Sequence, residues 1–332
     1  MKFEIEKNTP DLETLSYELE LASWVKLADE VARRIYSSLK SNLKLRLSRK
    51  LRVLLQALDS ELPSPDDEFF KEIVCKVYTS FSVFKALMDA RAEWKCADDF
   101  EGILFYNLIK RIGSKGFNNA YQEEDKLHKR RAESLYDYIS DLKIAHSKIM
   151  IVRLDLYYHQ EPIQSISSQQ NVVDDWSRLL AFARKSYKQN FLGYAMKIEF
   201  GDDRGVHIHS IFVLNGSNLR RDVNVARSLG HHWVKDVVPD IGRYFNCNEK
   251  QHQKKYKWRS VGDFVKMDED FQNGVKAMSA YVTKPDPFPR LVVHGLSRTF
   301  RKGEINSKKK ARVMRRKEVL KAFSQDAVSS RV

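Results

Sequence analysis

Residues 193–214, GYAMKIEFGDDRGVHIHSIFVL, constrain the chain more than any other stretch. Tyr194, Met196, Ile198 and Phe200 alternate with Ala195, Lys197 and Glu199, which is the period of a strand. A Gly-Asp-Asp-Arg-Gly turn comes next, after which His207 and His209 alternate with Ile208 and Ser210. Two positions apart on a strand, both imidazoles point to the same face of the sheet. With the turn centred on Asp203, Glu199 falls opposite His207 and Lys197 opposite His209. Cross-strand partners have Cβ atoms about 4.5–5.5 Å apart, so the hairpin gathers two imidazoles and a carboxylate on one support. Two histidines and a carboxylate with open positions make a catalytic metal site. A His-x-His pair alone is more often two ordinary strand histidines; the glutamate on the paired strand favours the metal reading.

The charge balance points to the partner. The chain of 332 residues has a net charge of +14 at pH 7 and an isoelectric point near 9.5. An excess of that size suits a polyanion, most often nucleic acid, although it also suits a merely soluble basic surface. The N-terminus MKFEIEKNTP lacks a signal-peptide apolar core, and no stretch approaches the ~18 apolar residues of a membrane span. Cys75, Cys96 and Cys247 are few, odd in number and far apart, so a disulfide framework is not expected. The expectation is a cytoplasmic protein without membrane contact. Cys247 and His252 lack the second ligand pair that would complete a zinc site.

Three regions are expected. Residues 1–130 read as a helical N-terminal domain of unassigned role, in which residues 42–58 set a leucine side against a lysine- and arginine-rich one. Residues 131–303 mix strands and helices. KIMIVRLDLYY reads as a buried strand, and residues 171–190 as an amphipathic helix with Val172, Trp176, Leu179, Leu180, Ala183 and Tyr187 inward. The His hairpin is next, then a helix over residues 219–237, strand-like pieces through Val265, and a helix over 271–284 ended by Pro285. That order predicts an α+β fold, an antiparallel sheet with helices packed on it. On the last helix Tyr281 and Lys284 are three apart and are expected to share a face. Residues 304–332 form a basic tail.

The order of strand, His-x-His and Tyr-x-x-Lys resembles that of the HUH endonucleases, the nickases of rolling-circle replication. More narrowly, residues 135–303 are similar to the inovirus (filamentous phage) gene-II-type replication proteins. The similarity is carried by YDYISDL, GYAMKIEFGDDRGVHIHSIFVLNGS, RYFNCN, SAYVTK and RTFRKG. It implies a Rep-like HUH domain that nicks and rejoins single-stranded DNA at an origin-like hairpin or nick site of a phage, prophage or related mobile element. By the same resemblance, Glu199, His207 and His209 hold a divalent metal, Mg²⁺ or Mn²⁺. Tyr281 is the nucleophile that forms a 5′-phosphotyrosine, and Lys284 assists it. Asp155 and Lys197 border the site, with Lys197 expected to contact DNA. Some relatives carry two tyrosines on the nicking helix, whereas here Tyr281 stands alone, with Ala277 and Met278 a turn before it. No G-x-x-x-x-G-K-[ST] loop occurs, so unwinding falls to a host helicase and extension to a host polymerase.

The tail carries Lys308, Lys309, Lys310, Arg312, Arg315 and Arg316, a set suited to clamping a DNA backbone or simply to a solvated end. Two other classes compete with the nickase. Iron oxygenases and cupins share the ligand set, but this chain is too helical, and IFVLN lies after the second histidine region where a cupin needs a glutamate. A catalytically retired HUH-fold DNA-binding regulator is the alternative that keeps the fold and the charge.

Overall fold

The computed structural model describes residues 115–159, 171–201, 204–286, 296–305, 310–311 and 313–318. The helices expected over residues 1–114 lie outside the described residues. His128–Lys284 and Arg298–Val332 make up one compact unit, which contains the sheet and the histidine hairpin.

The elements are helix α1 (Lys115–Ala145), strand β1 (Ile149–Tyr158), helix α2 (Val172–Tyr187), strands β2 (Phe191–Gly201) and β3 (Gly205–Asn215), helix α3 (Asp222–His232), strand β4 (Gly242–Asn246), the short helix α4 (Lys250–Gln253), strand β5 (Gly262–Phe264), helix α5 (Glu269–Val282) and strand β6 (Phe300–Lys302). The fold is α+β, with one six-stranded sheet in the order β4-β1-β3-β2-β6 and β5 also paired to β1. Every pairing is antiparallel. The strand read in KIMIVRLDLYY is β1, which lies between β3 and the β4–β5 side.

Both faces of the sheet are covered, so the inner strands read as nearly continuous apolar runs. On one face Met150, Val152, Leu154 and Leu156 join Ile208, Phe212 and Leu214. Helix α2 seals that face with Trp176, whose ring lies 5.5 Å from Phe212. Val172, Leu179, Leu180 and Ala183 are buried with it as expected, whereas Tyr187, at the helix end, is half-buried. The opposite face holds Ile149, Ile151, Ala195, Ile211 and Val213 at one end, packed against Leu135, Tyr138, Ile139 and Leu142 of α1 and Phe271, Val275, Met278 and Val282 of α5. Each large apolar side chain buried this way stabilises the fold by about 1.5–3 kcal/mol.

Helix α5 starts where capping chemistry allows it. The Asp268 carboxylate accepts the Phe271 N–H at 3.0 Å, and Glu269 and Asp270 fill the first turn, where the helix dipole favours negative charge. It runs close to the segment before it: a Cβ on Gly274 would come within 1.9 Å of the Arg259 carbonyl oxygen. The helix stops at Val282, two residues earlier than the spacing predicts, and the Thr283 hydroxyl donates to the Ser279 carbonyl at 2.8 Å. Lys284 precedes Pro285, and a residue before proline is pushed out of the helical region. Lys284 therefore lies just beyond the helix, its backbone N–H donating to the Tyr281 carbonyl at 3.3 Å. The helix expected over residues 219–237 is α-helical only over Asp222–His232 and continues as a π-turn, Trp233–Val237. Among the described residues no helix is long and apolar enough to cross a membrane.

Candidate metal centre

The hairpin register is the one expected: Glu199 pairs with His207 and Lys197 with His209. Strand β1 adds a third layer, because His207 also faces Tyr157, and His209 faces Asp155. Two rows therefore cross the sheet, Glu199–His207–Tyr157 and Lys197–His209–Asp155, on the same face as the α1–α5 core but at its other end.

Glu199, His207 and His209 each offer a ligand atom, and these atoms lie within 4.8 Å of one another; together they could hold a metal ion. The remaining hydrogen bonds orient them. The His207 Nδ1 lies 3.1 Å from the Gly205 carbonyl oxygen. A carbonyl only accepts, so Nδ1 carries a proton, which turns Nε2 towards Glu199, 3.5 Å away. His209 sits between two carboxylates, with Nδ1 2.7 Å from Asp155 and Nε2 2.8 Å from Glu199. Burial pulls its pKa down, but the bonds to Asp155 and Glu199 outweigh that and push it up to about 9. Without metal the ring is an imidazolium donating to both acids. If His209 held a metal at Nε2, the ion would take that proton's place, and the Asp155 carboxylate would keep the ring oriented through Nδ1–H. The donor set and its supports thus fit a divalent cation.

The carboxylates are held ionised. Burial raises Asp155, but the Arg153 guanidinium and His209 outweigh it and bring its pKa to about 2. Burial likewise raises Glu199, and hydrogen bonds from His207 and His209 hold it well below the usual carboxylate range. The Arg153 guanidinium bonds both Asp155 oxygens, at 3.1 and 3.3 Å. Its carbon also lies 4.8 Å from the Tyr281 ring centroid. The Tyr281 ring stands edge-on to His209 at 5.4 Å, with the residue 51% exposed. Burial raises the Tyr281 pKa, and Arg153 opposes the shift.

No family model, curated protein or solved structure matches the chain.

The site therefore stands on its own geometry, which treats the remaining expected residues unequally. Lys284 is exposed beyond the helix cap, and its backbone N–H donates to the Tyr281 carbonyl. Lys197 is wholly buried, its ammonium 3.5 Å from the Thr299 hydroxyl. An ammonium with no accessible surface does not meet a DNA backbone, so the expected direct contact is corrected: Lys197 ties β2 to the segment entering β6. In the tail Lys308, Lys309 and Arg312 lie outside the described residues. Lys310 and Arg315 are exposed, whereas Arg316 donates to the Ile144 carbonyl and Lys317 pairs with Asp141. Val313 is buried, so this stretch docks on α1.

Arg153 and Tyr157 were not singled out from the sequence. The available signal was the Arg-x-Asp-x-Tyr alternation inside an apolar strand, which places all three side chains on the histidine face. Beside them a cavity of about 680 Å³ opens next to Tyr281, lined by β1, by β4 and by Tyr256. Cys247 is buried near Asp155; burial and that carboxylate push its thiol up to about 12, which makes it an unreactive neutral group.

Proposed function

We propose that this unit is an HUH-type endonuclease that nicks single-stranded DNA and transfers the strand, as in the initiation of rolling-circle replication of a phage, prophage or related mobile element. The observation that supports it most is the placement of an exposed tyrosine against one imidazole of a two-histidine, one-carboxylate cluster. A phenol has no structural need of that neighbour, whereas a nucleophile for a phosphodiester does.

In this reading the Tyr281 oxygen attacks the scissile phosphorus. A Tyr281 Oη–P bond forms and the P–O3′ bond breaks, leaving a 5′-phosphotyrosine and a free 3′ end. The phenolic proton is lost and the 3′-oxygen gains one. Because one phosphodiester replaces another, the step is reversible and needs no ATP. Arg153 supplies positive charge beside the phenol, where it favours the attacking anion and the crowded phosphate. Asp155 and the Gly205 carbonyl hold His209 and His207 in ligand orientation. Glu199, His207 and His209 would hold the ion, and a divalent cation there supplies Lewis-acid stabilisation of the developing negative charge. Two imidazoles suit Mn²⁺ better than Mg²⁺, which prefers all-oxygen sites and keeps its waters. An origin-like hairpin as target, a host helicase and polymerase as partners, and action in the bacterial cytoplasm belong to the same proposal.

The test is incubation with Mn²⁺ and single-stranded DNA from the genomic neighbourhood of the coding sequence, followed by a denaturing gel. A covalent adduct is expected with the wild-type protein, and none with Tyr281→Phe or in EDTA. An adduct of undiminished yield in Tyr281→Phe sinks the assignment. DNA binding without an adduct under any metal favours the retired regulator.

A further inference from the structure

The cavity beside Tyr281 is lined by three arginines, Arg153, Arg204 and Arg243, together with His159, Tyr244 and Tyr256. Three guanidinium groups around one cleft favour an anionic occupant. Arg153 is 5% exposed and reaches this space from the sheet. Strand register adds the next cation, because Arg243 of the edge strand β4 lies directly opposite Tyr157, which itself faces His207. Neighbouring strands are about 4.8 Å apart, so Arg243 stands roughly two spacings from the metal cluster on the same face. Arg243 is exposed and makes no ion pair among the described residues.

The far wall is aromatic. Tyr256 is 53% exposed and belongs to the run Lys254-Lys255-Tyr256-Lys257-Trp258, whose three lysines are exposed. A ring kept open to solvent among cations, facing a cleft lined by guanidinium groups, is the pattern that takes single-stranded nucleic acid: the base stacks on the ring and the backbone tracks the positive charge. The volume, about 680 Å³, falls within the roughly 300–1,000 Å³ of small-ligand sites.

We propose that this cavity is a single-nucleotide pocket for the DNA residue flanking the phosphate that Tyr281 attacks. The base stacks on Tyr256, a phosphate is held by Arg243 and Arg153, and the strand leaves past Lys254, Lys255 and Lys257. The proposal rests on the reading of the site as a DNA nickase, but binding alone tests it.

The experiment is fluorescence-anisotropy titration of the full chain in EDTA with a short labelled oligothymidylate, at several salt concentrations. Tyr256→Ala is expected to weaken binding roughly tenfold, the size of one lost base stack, and Tyr256→Phe to keep it. Arg243→Ala should lower the slope of log affinity against log salt by about 0.7, one phosphate contact on a single strand. Both positions are exposed, so neither substitution threatens the fold. The pocket is overturned if the wild-type chain does not bind the oligonucleotide, or if Tyr256→Ala and Arg243→Ala bind it as wild type does with superimposable slopes. It is overturned equally if a blunt duplex suffers the same loss in Tyr256→Ala, since a paired base cannot stack on that ring. Failure of the nickase reading looks different: affinity falls in these variants, but no adduct forms at Tyr281 with any metal.

Discussion

One face of the sheet has two ends built from the same strands. At one end Ile149, Ile151, Ala195, Ile211 and Val213 meet the apolar sides of α1 and α5. At the other, the next inward positions are Arg153 and Asp155, Lys197 and Glu199, and His209 and His207. The β1–β3 pairing is continuous from one end to the other, and along it the contrast lies in the side chains. Apolar burial at the first end stabilises by about 1.5–3 kcal/mol per large side chain, whereas buried ion pairs are close to neutral once desolvation is counted. The first end holds the sheet and α5 in place, and the second uses that rigidity. Tyr281 belongs to both ends, because α5 is anchored by Phe271, Val275, Met278 and Val282 while its last turn carries the phenol over His209.

The comparison breaks first if the apolar end is not the anchor. Phe271→Ala is expected to cost about 3–5 kcal/mol in denaturant unfolding, against about 1 kcal/mol for His207→Ala. Equal losses would dissolve the division of labour.

The pH dependence of the metal-free protein sharpens the polar end. His209 has a folded pKa of about 9 against an ordinary value of 6.5, so the folded state binds its proton more tightly. Its contribution is complete below about pH 6.5 and is lost as pH rises through about 9, a fall on the order of 3 kcal/mol. Thermal unfolding in EDTA across that window should show the decline, and His209→Gln should flatten it. The support given by β1 ranks next. Asp155→Asn removes the carboxylate behind His209 and is expected to weaken Mn²⁺ affinity about 10–100-fold by calorimetry. The smallest effect is expected from the tail. Truncation after Asn306 should flatten the salt dependence of oligonucleotide binding only slightly, because Arg316 and Lys317 are already engaged by α1, and leave cleavage at saturating DNA unchanged.

The hairpin was legible because its information is local. A period of two and a five-residue turn fix which residues face each other, and Glu199 opposite His207 required nothing more. Asp155 was legible only as a neighbour of the site, since its role depends on β1 pairing with β3 across more than fifty residues of chain. Arg153 was missed for the same reason. Its partners, Asp155 and Tyr281, come together only after α5 docks. The helix end was read two residues late because helical spacing was carried up to the residue before proline, and the burial of Lys197 was not legible because it depends on the distant segment around Thr299 covering β2. Helices α2 and α5 and the α+β class were readable from periodicity, but β4 and β5, five and three residues long, are too short for a period to register as more than strand-like pieces.

The most direct test of the polar end as a metal centre is calorimetric titration of the full chain with Mn²⁺ at pH 7, in two buffers of different ionisation enthalpy. One ion per chain is expected, with close to one proton released from His209, and no binding in His207→Ala. Absence of binding in the wild-type protein, or binding that survives His207→Ala without proton release, would contradict the account.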